Sequence, residues 1–181
     1  MAQSGQAEIP PRIIVVMGVS ASGKTALAGR LHAALGWPFQ DADDLHPPSN
    51  IEKMAGGTPL TDDDRIPWLE ICGQWIADQA RAGRGGILAC SALKKHYRDI
   101  LRKADGPITF LFLRVPRPEL ERRMHGRRKH FMPVSLLDSQ LETLEEPYEE
   151  DDVLVVDAVG SPLNVTAHVL RLLEENSKQQ R

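Results

Sequence analysis

The feature that most constrains this chain is a junction. The run "RIIVVM", residues 12–17, leads directly into "GVSASGKT", residues 18–25, and a helical pattern ending at Gly36 follows. A continuous apolar, β-branched run is what a strand buried on both faces requires. The next eight residues match G-x-x-x-x-G-K-[ST], a loop that belongs between a buried strand and the start of a helix. Gly18 and Gly23 allow the backbone to wrap, so that successive N–H groups from Gly18, Val19, Ser20, Ala21, Ser22 and Gly23 turn toward phosphate oxygens. The helix N-terminus adds partial positive charge. Lys24 reaches the β- and γ-phosphates, and Thr25 places its hydroxyl on Mg²⁺. These residues predict a nucleoside triphosphate site with Mg²⁺ and leave open what receives the phosphate.

Similar apolar runs recur at 85–90, 108–115 and 152–157, and helical patterns at 24–36, 63–82, 94–104, 117–125, 135–145 and 162–175 lie between them. Such alternation predicts an α/β fold, a parallel sheet with helices on both faces and ligands at the carboxyl ends of the strands. Within 63–82, Trp68, Ile71, Cys72, Trp75 and Ile76 form a stripe at helical spacing and are assigned to the core. "SNIE", 49–52, has the form of a capping box and predicts a short helix beginning there. A chain of 181 residues can bury one core unaided. The expected organisation is an arm at 1–11, one domain at 12–175 with a lid at about 122–134, and a tail at 176–181.

Composition excludes several classes. Lys and Arg number 22 against 25 Asp and Glu, a net charge of −3, so a dedicated nucleic-acid binder is disfavoured. No apolar stretch approaches the roughly 20 residues of a membrane span, and no apolar segment follows a basic start, so a cytoplasmic protein without a membrane partner is expected. Cys72 and Cys90 have neither metal-ligand spacing nor the number for a disulfide framework.

Between the first helix and the second lies "DADDLHPPSN", 41–50, with three acids in four positions. Many phosphate-loop proteins end another strand with an acid that serves Mg²⁺. Here the run at 85–90 ends in Cys90 and Ser91, and Asp41 or Asp43, just beyond the short run at 37–39, can supply the carboxylate, while Asp44 is assigned to solvent. The basic stretch "RRMHGRRKHF", 122–131, is either an arginine-bearing flap over the transferring group or a solvated helix end.

Four segments, "GVSASGKT", "DADDLHPPSNIEKMAGGTPLTDDDRIPWL", "CSALKKHYRDILR" and "HFMPVSLLDSQLETLEEP", together resemble the gluconate kinases (gluconokinases), a branch of small P-loop kinases akin to shikimate kinase. They span residues 18–147. The resemblance implies a P-loop NTPase fold with five parallel strands sandwiched by helices, a mobile lid and a homodimer. It also implies phosphorylation of D-gluconate to 6-phosphogluconate with ATP and Mg²⁺. By the same analogy Asp41 steadies the Mg²⁺ shell and Asp43 holds the acceptor hydroxyl as base, or the two are exchanged. Arg127 contacts the γ-phosphate, with Arg123 second. Arg65 is the first candidate for the acceptor carboxylate, its alternative being a local ion pair with Asp62–Asp64. Lys94 and Arg98 come next, or else face water. Ser91 is placed to donate to the acceptor, and His46 either bonds a hydroxyl or caps its loop. Two positions depart from the family pattern: Ala21 and Ala42 stand where glycine is usual. Transfer to shikimate, a nucleoside monophosphate or another aldonic acid, and a regulatory module without chemistry, are the rival readings, and acceptor turnover separates them.

Overall fold

All five residues of β1 (Ile13–Met17) are buried, as an unbroken apolar run demands when both faces of a sheet are covered. The other strands are β2 (Phe39–Asp41), β3 (Gly86–Ala89), β4 (Ile108–Arg114) and β5 (Val153–Asp157). All neighbours run parallel, in the order β2-β3-β1-β4-β5. The computed structural model describes residues 9–126 and 134–181. Seven helices appear among them: α1 (Lys24–Leu35), α2 (Pro48–Ala55), α3 (Asp62–Arg81), α4 (Lys95–Arg102), α5 (Arg117–His125), α6 (Val134–Thr143) and α7 (Pro162–Gln179).

Alternate residues of β1 enter different layers, as the two-residue period of a strand dictates. Ile13, Val15 and Met17 pack with Trp68, Cys72 and Ile76 of α3 and Tyr97 and Leu101 of α4. Ile14 and Val16 pack with Leu27 and Leu31 of α1 and Val169 and Leu173 of α7. A third cluster, Val19, Ala21, Leu93, Leu120 and Leu137, joins the loop after β1 to α5 and α6. Because β2, β3 and β1 are adjacent, the loops at their carboxyl ends meet at one rim of the sheet.

Three local expectations are corrected. The capping box at 49–52 does not form; α2 begins at Pro48, where a missing N–H is harmless, and has no side-chain cap. The box forms instead on α3, where Thr61 and Asp64 cap each other's backbone N–H groups, aspartate taking the place of the longer acid. The α3 stripe is rotated: Trp68, Leu69, Cys72 and Ile76 are buried, whereas Ile71 is 42% exposed. The expected tail at 176–181 is largely helical. Buried Arg12 holds it, donating to Asn176 Oδ1 at 2.9 Å and Ser177 Oγ at 2.9 Å. Among the described residues no helix is long and apolar enough to cross a membrane.

Candidate active site

The loop after β1 needs its glycines. Gly18 has φ +147°, and a Cβ there would lie 2.9 Å from Ser22 Oγ and 3.1 Å from the Leu113 carbonyl. Gly23, at φ +96°, caps α1 without a side-chain hydrogen bond, so the first N–H groups of that helix keep their capacity for an anion. Lys24 Nζ donates to the Val19 carbonyl at 3.0 Å, folded back over the loop. Among the described residues, Ser22 Oγ is buried without a hydrogen-bond partner. Ala21 adopts φ +65°, a left-handed conformation that explains why glycine is usual there. Ala42, by contrast, has no positive φ and its methyl group is fully buried.

The acids stand beside this loop. Thr25 Oγ1 donates to Asp41 Oδ2 at 2.9 Å, and Asp41 Oδ1 accepts the Asp43 N–H at 3.0 Å. The second bond caps a 3-10 turn, Ala42–Leu45, that carries Asp43 past the end of β2. Asp43 still meets solvent, yet the protein around its carboxyl raises its pKa, and the charge of Asp41 adds to this; Lys24 opposes the rise. Asp44 is exposed, as expected. Trp68 fixes the turn by donating Nε1 to the Ala42 carbonyl at 2.6 Å, and His46 stacks on its ring at 4.2 Å. Burial, then the charge of Arg65, lowers the His46 pKa and favours the neutral ring. Its Nδ1 lies 3.3 Å from Asn50 Nδ2, so His46 braces its own loop.

Arg65 is half-buried and forms no ion pair with Asp62–Asp64; it donates to Tyr97 Oη at 3.1 Å and lies over that ring. Lys94 pairs with Asp62, 3.2 Å from each carboxylate oxygen. The Ser91 carbonyl accepts the Gly18 N–H at 3.3 Å, fastening the end of β3 to the phosphate loop. Arg98 is corrected. It is 0% exposed and every donor is engaged: by Glu150, and by the carbonyls of Ala92, Leu93 and Glu145. A guanidinium so enclosed has no donor left for an acceptor. Cys72 and Cys90 are both buried, and the Cys72 thiol is pushed up by its hydrogen bond with Cys90 and by burial, so neither serves as a nucleophile.

Arg123 lies toward the opposite edge of the sheet. It donates to the carbonyls of Ala21 and Ser22, both at 3.3 Å, and of Ala158 at 2.6 Å. Ala158 follows β5, whereas Asp41 ends β2, and these strands are the two edges. Arg123 therefore faces a cavity of about 250 Å³ lined by Ser22, Ala26, Gly160, Pro162 and Val165, away from Asp41 and Asp43. Arg127 lies outside the described residues, with the rest of 127–133.

Sequence reasoning assigned no role to Gln140, which lies within the quoted "SQLETLEEP" segment. Its Oε1 accepts the Ser20 N–H at 2.6 Å, joining α6 to the phosphate loop. Nothing in local spacing reveals this contact, 120 residues apart. Tyr97 was passed over for the same reason, and Asp62 was considered only as a local partner for Arg65.

A family model described as an AAA domain matches residues 13–147. The chain is 49% identical over 166 residues to the gluconokinase of Gluconobacter oxydans, covering 92% of this chain and 93% of that relative. It is 44% identical to the thermoresistant gluconokinase of Escherichia coli, covering 90% and 94%. The crystal structure of a gluconokinase from Sinorhizobium meliloti superimposes with a TM-score of 0.86 at 44% identity, covering 94% of this chain and 95% of that one. Shikimate kinase from Aquifex aeolicus, 18% identical with a TM-score of 0.59 over 91% of this chain and 98% of that one, shares the fold.

Proposed function

The chain belongs to the gluconokinase family of P-loop kinases, and from this we infer that it transfers the γ-phosphoryl group of ATP to a hydroxyl of D-gluconate. The observation that carries the site assignment is the meeting of Thr25, Asp41 and Asp43 at the ends of β1 and β2, with Thr25 and Asp41 2.9 Å apart. The transfer is largely a matter of positioning and neutralising charge. The acceptor hydroxyl donates to Asp43 and passes its proton there as its oxygen bonds phosphorus. The bond to the β–γ bridging oxygen breaks, and ADP leaves. Raising the Asp43 pKa strengthens it as a base. Lys24 swings from the Val19 carbonyl to the β- and γ-phosphates.

Among the described residues no three His, Cys, Asp or Glu side chains gather as a metal cage. Mg²⁺ does not ask for one; it binds through one or two protein oxygens plus phosphates and water, which fits Thr25 Oγ1 and Asp41 Oδ2. Bound there, the ion would neutralise charge on the β- and γ-phosphates. The cavity beside Arg123, Gly160 and Pro162 suits the adenine base. Arg127 is proposed for the γ-phosphate on the sequence match alone. His46, Ser91, Lys94 and Arg65 complete the acceptor side. We extend the reading to a homodimer in the cytoplasm, with no nucleic-acid or membrane partner, in keeping with the net charge of −3.

The test is a coupled ADP-release assay with Mg-ATP against D-gluconate, other aldonates, shikimate, glucose, AMP and no acceptor. Turnover confined to gluconate supports the reading. Release with shikimate or AMP instead would discard the acceptor assignment, and silence across the panel with ATP still bound would favour a regulatory module.

A further inference from the structure

Arg65 and Lys94 come from different helical segments yet converge on one aromatic ring, 5.7 and 5.6 Å from the centroid of Tyr97. The Tyr97 hydroxyl accepts from Arg65 and donates to Asp62. Lys94 spans both oxygens of the same carboxylate at 3.2 Å, and His96 Nε2 stands 3.7 Å from it. Lys94 and a phenol thus serve a single acid, the first residue of α3, while Arg65 reaches it only through that phenol. Arg65 forms no carboxylate ion pair of its own among the described residues. Counting Arg65, Lys94 and Asp62, the cluster carries one surplus positive charge. It also flanks the acid turn: Arg65 lies one helical turn before Trp68, which holds the Ala42 carbonyl and stacks on His46.

We propose that Asp62 is a resident stand-in for the acceptor's carboxylate, occupying Lys94 and Tyr97 until an aldonate displaces it and pairs with Arg65 as well. This rests on the gluconate reading and names the group that sets the affinity of its acceptor site for the acid. One entering carboxylate neutralises the surplus charge, whereas a neutral polyol of the same length offers nothing to exchange for Asp62. The cations of the seat therefore favour acid over alcohol, and Asp62, by competing for them, sets how tightly the acid is held. The Asp62 carboxyl is lowered from its ordinary value, first by the Tyr97 hydroxyl and then by Lys94, which favours its anionic form.

The experiment compares the wild type with Asp62→Asn, Asp63→Asn and Tyr97→Phe, each first shown to be folded by circular dichroism and thermal melting. D-gluconate is the acceptor and D-sorbitol the neutral competitor. Asp62→Asn should lower the KM for gluconate about three- to tenfold, the scale of one partly exposed charged hydrogen bond. The inhibition constant for sorbitol should move by less than about twofold, since no ion pair is exchanged. Asp63→Asn removes the same charge one residue on, from an exposed side chain, and should leave the KM in place. Tyr97→Phe should raise the KM for gluconate and spare sorbitol. A raised KM in Asp62→Asn, or an equal fall in Asp63→Asn, overturns the proposal. So does a wild type that phosphorylates no aldonate; that result also defeats the gluconate reading, which an unmoved KM in Asp62→Asn with normal wild-type turnover would not.

Discussion

Replacing Arg98 by methionine asks whether this arginine serves the acceptor or the scaffold. Its guanidinium is wholly buried, and Glu150, its ion-pair partner, has a side chain only 10% exposed. Burial alone would raise the Glu150 carboxyl, but hydrogen bonds from Arg98 and Arg102 outweigh it and hold the group below its ordinary value. Removing one partner of a buried pair costs about 3–5 kcal/mol, because the other charge is stranded. Two contacts soften the loss here. Arg102 remains on Glu150 Oε2 at 2.5 Å, and the Glu145 N–H still reaches the Leu93 carbonyl at 2.8 Å. The low end, about 3 kcal/mol, is therefore expected. For a domain of this size that corresponds to a fall in Tm of about 6–12 °C. Urea unfolding followed by circular dichroism, with the slope checked for two-state behaviour, measures it. The double variant Arg98→Met/Glu150→Met should recover part of the loss, since no lone charge is left inside. A loss below about 1 kcal/mol together with a sharply raised KM for gluconate would refute the reasoning and return Arg98 to the substrate.

Asp43→Asn keeps the hydrogen bond to an acceptor hydroxyl but takes no proton, so kcat should fall about 10²–10⁴-fold while ATP binding persists in calorimetry; an unchanged kcat would move the base elsewhere. Gln140→Ala removes the acceptor from the Ser20 N–H, a bond of 2.6 Å, and should raise the KM for ATP about two- to tenfold, the worth of one such bond. Gln140→Glu, which adds a negative charge beside the phosphates, should do worse, and equal effects of the two would point to lost packing alone. The Asp64 carboxyl is lowered to about 2, chiefly by the hydrogen bond from Lys53 and then by Thr61. A depressed folded-state pKa contributes stability fully above about pH 4 and loses it as pH falls toward 2. The Tm gap between wild type and Asp64→Asn should therefore narrow over that interval, and a gap independent of pH would contradict the pairing.

Features that live on one short segment were legible. The junction of a buried strand with a glycine-rich loop located the phosphate site, because strand period, glycine positions and helix start are each local. The acids at 41–44 were legible as a site too, since tight spacing of like charges needs a physical reason. Rotation of the α3 stripe was not, for Ile71 and Leu69 are equally apolar and only neighbouring elements decide which faces inward. Arg98 shows the same limit more sharply. A charge just past a strand end reads as exposed or as substrate-binding, and only the fold brings Glu150, 52 residues away, to enclose it. The position of Arg123 along the chain likewise says nothing of which sheet edge its helix overlies, and only the fold sets it against Ala158 beyond β5.

Ala21 binds the two kinds of information together. A left-handed alanine costs about 1–2 kcal/mol against glycine, which reads as a defect when the loop is considered alone. Its methyl group, however, is buried with Val19, Leu93, Leu120 and Leu137, so the residue that strains the phosphate loop also packs it against α5 and α6. Glycine would relieve the strain, yet it would also enlarge the freedom of the unfolded chain and empty that contact. The two sides nearly cancel in stability and do not cancel in mechanics. With alanine, movement of the phosphate loop is coupled through packing to the helices on either side of residues 127–133, and Gln140 adds a polar link between the same parts.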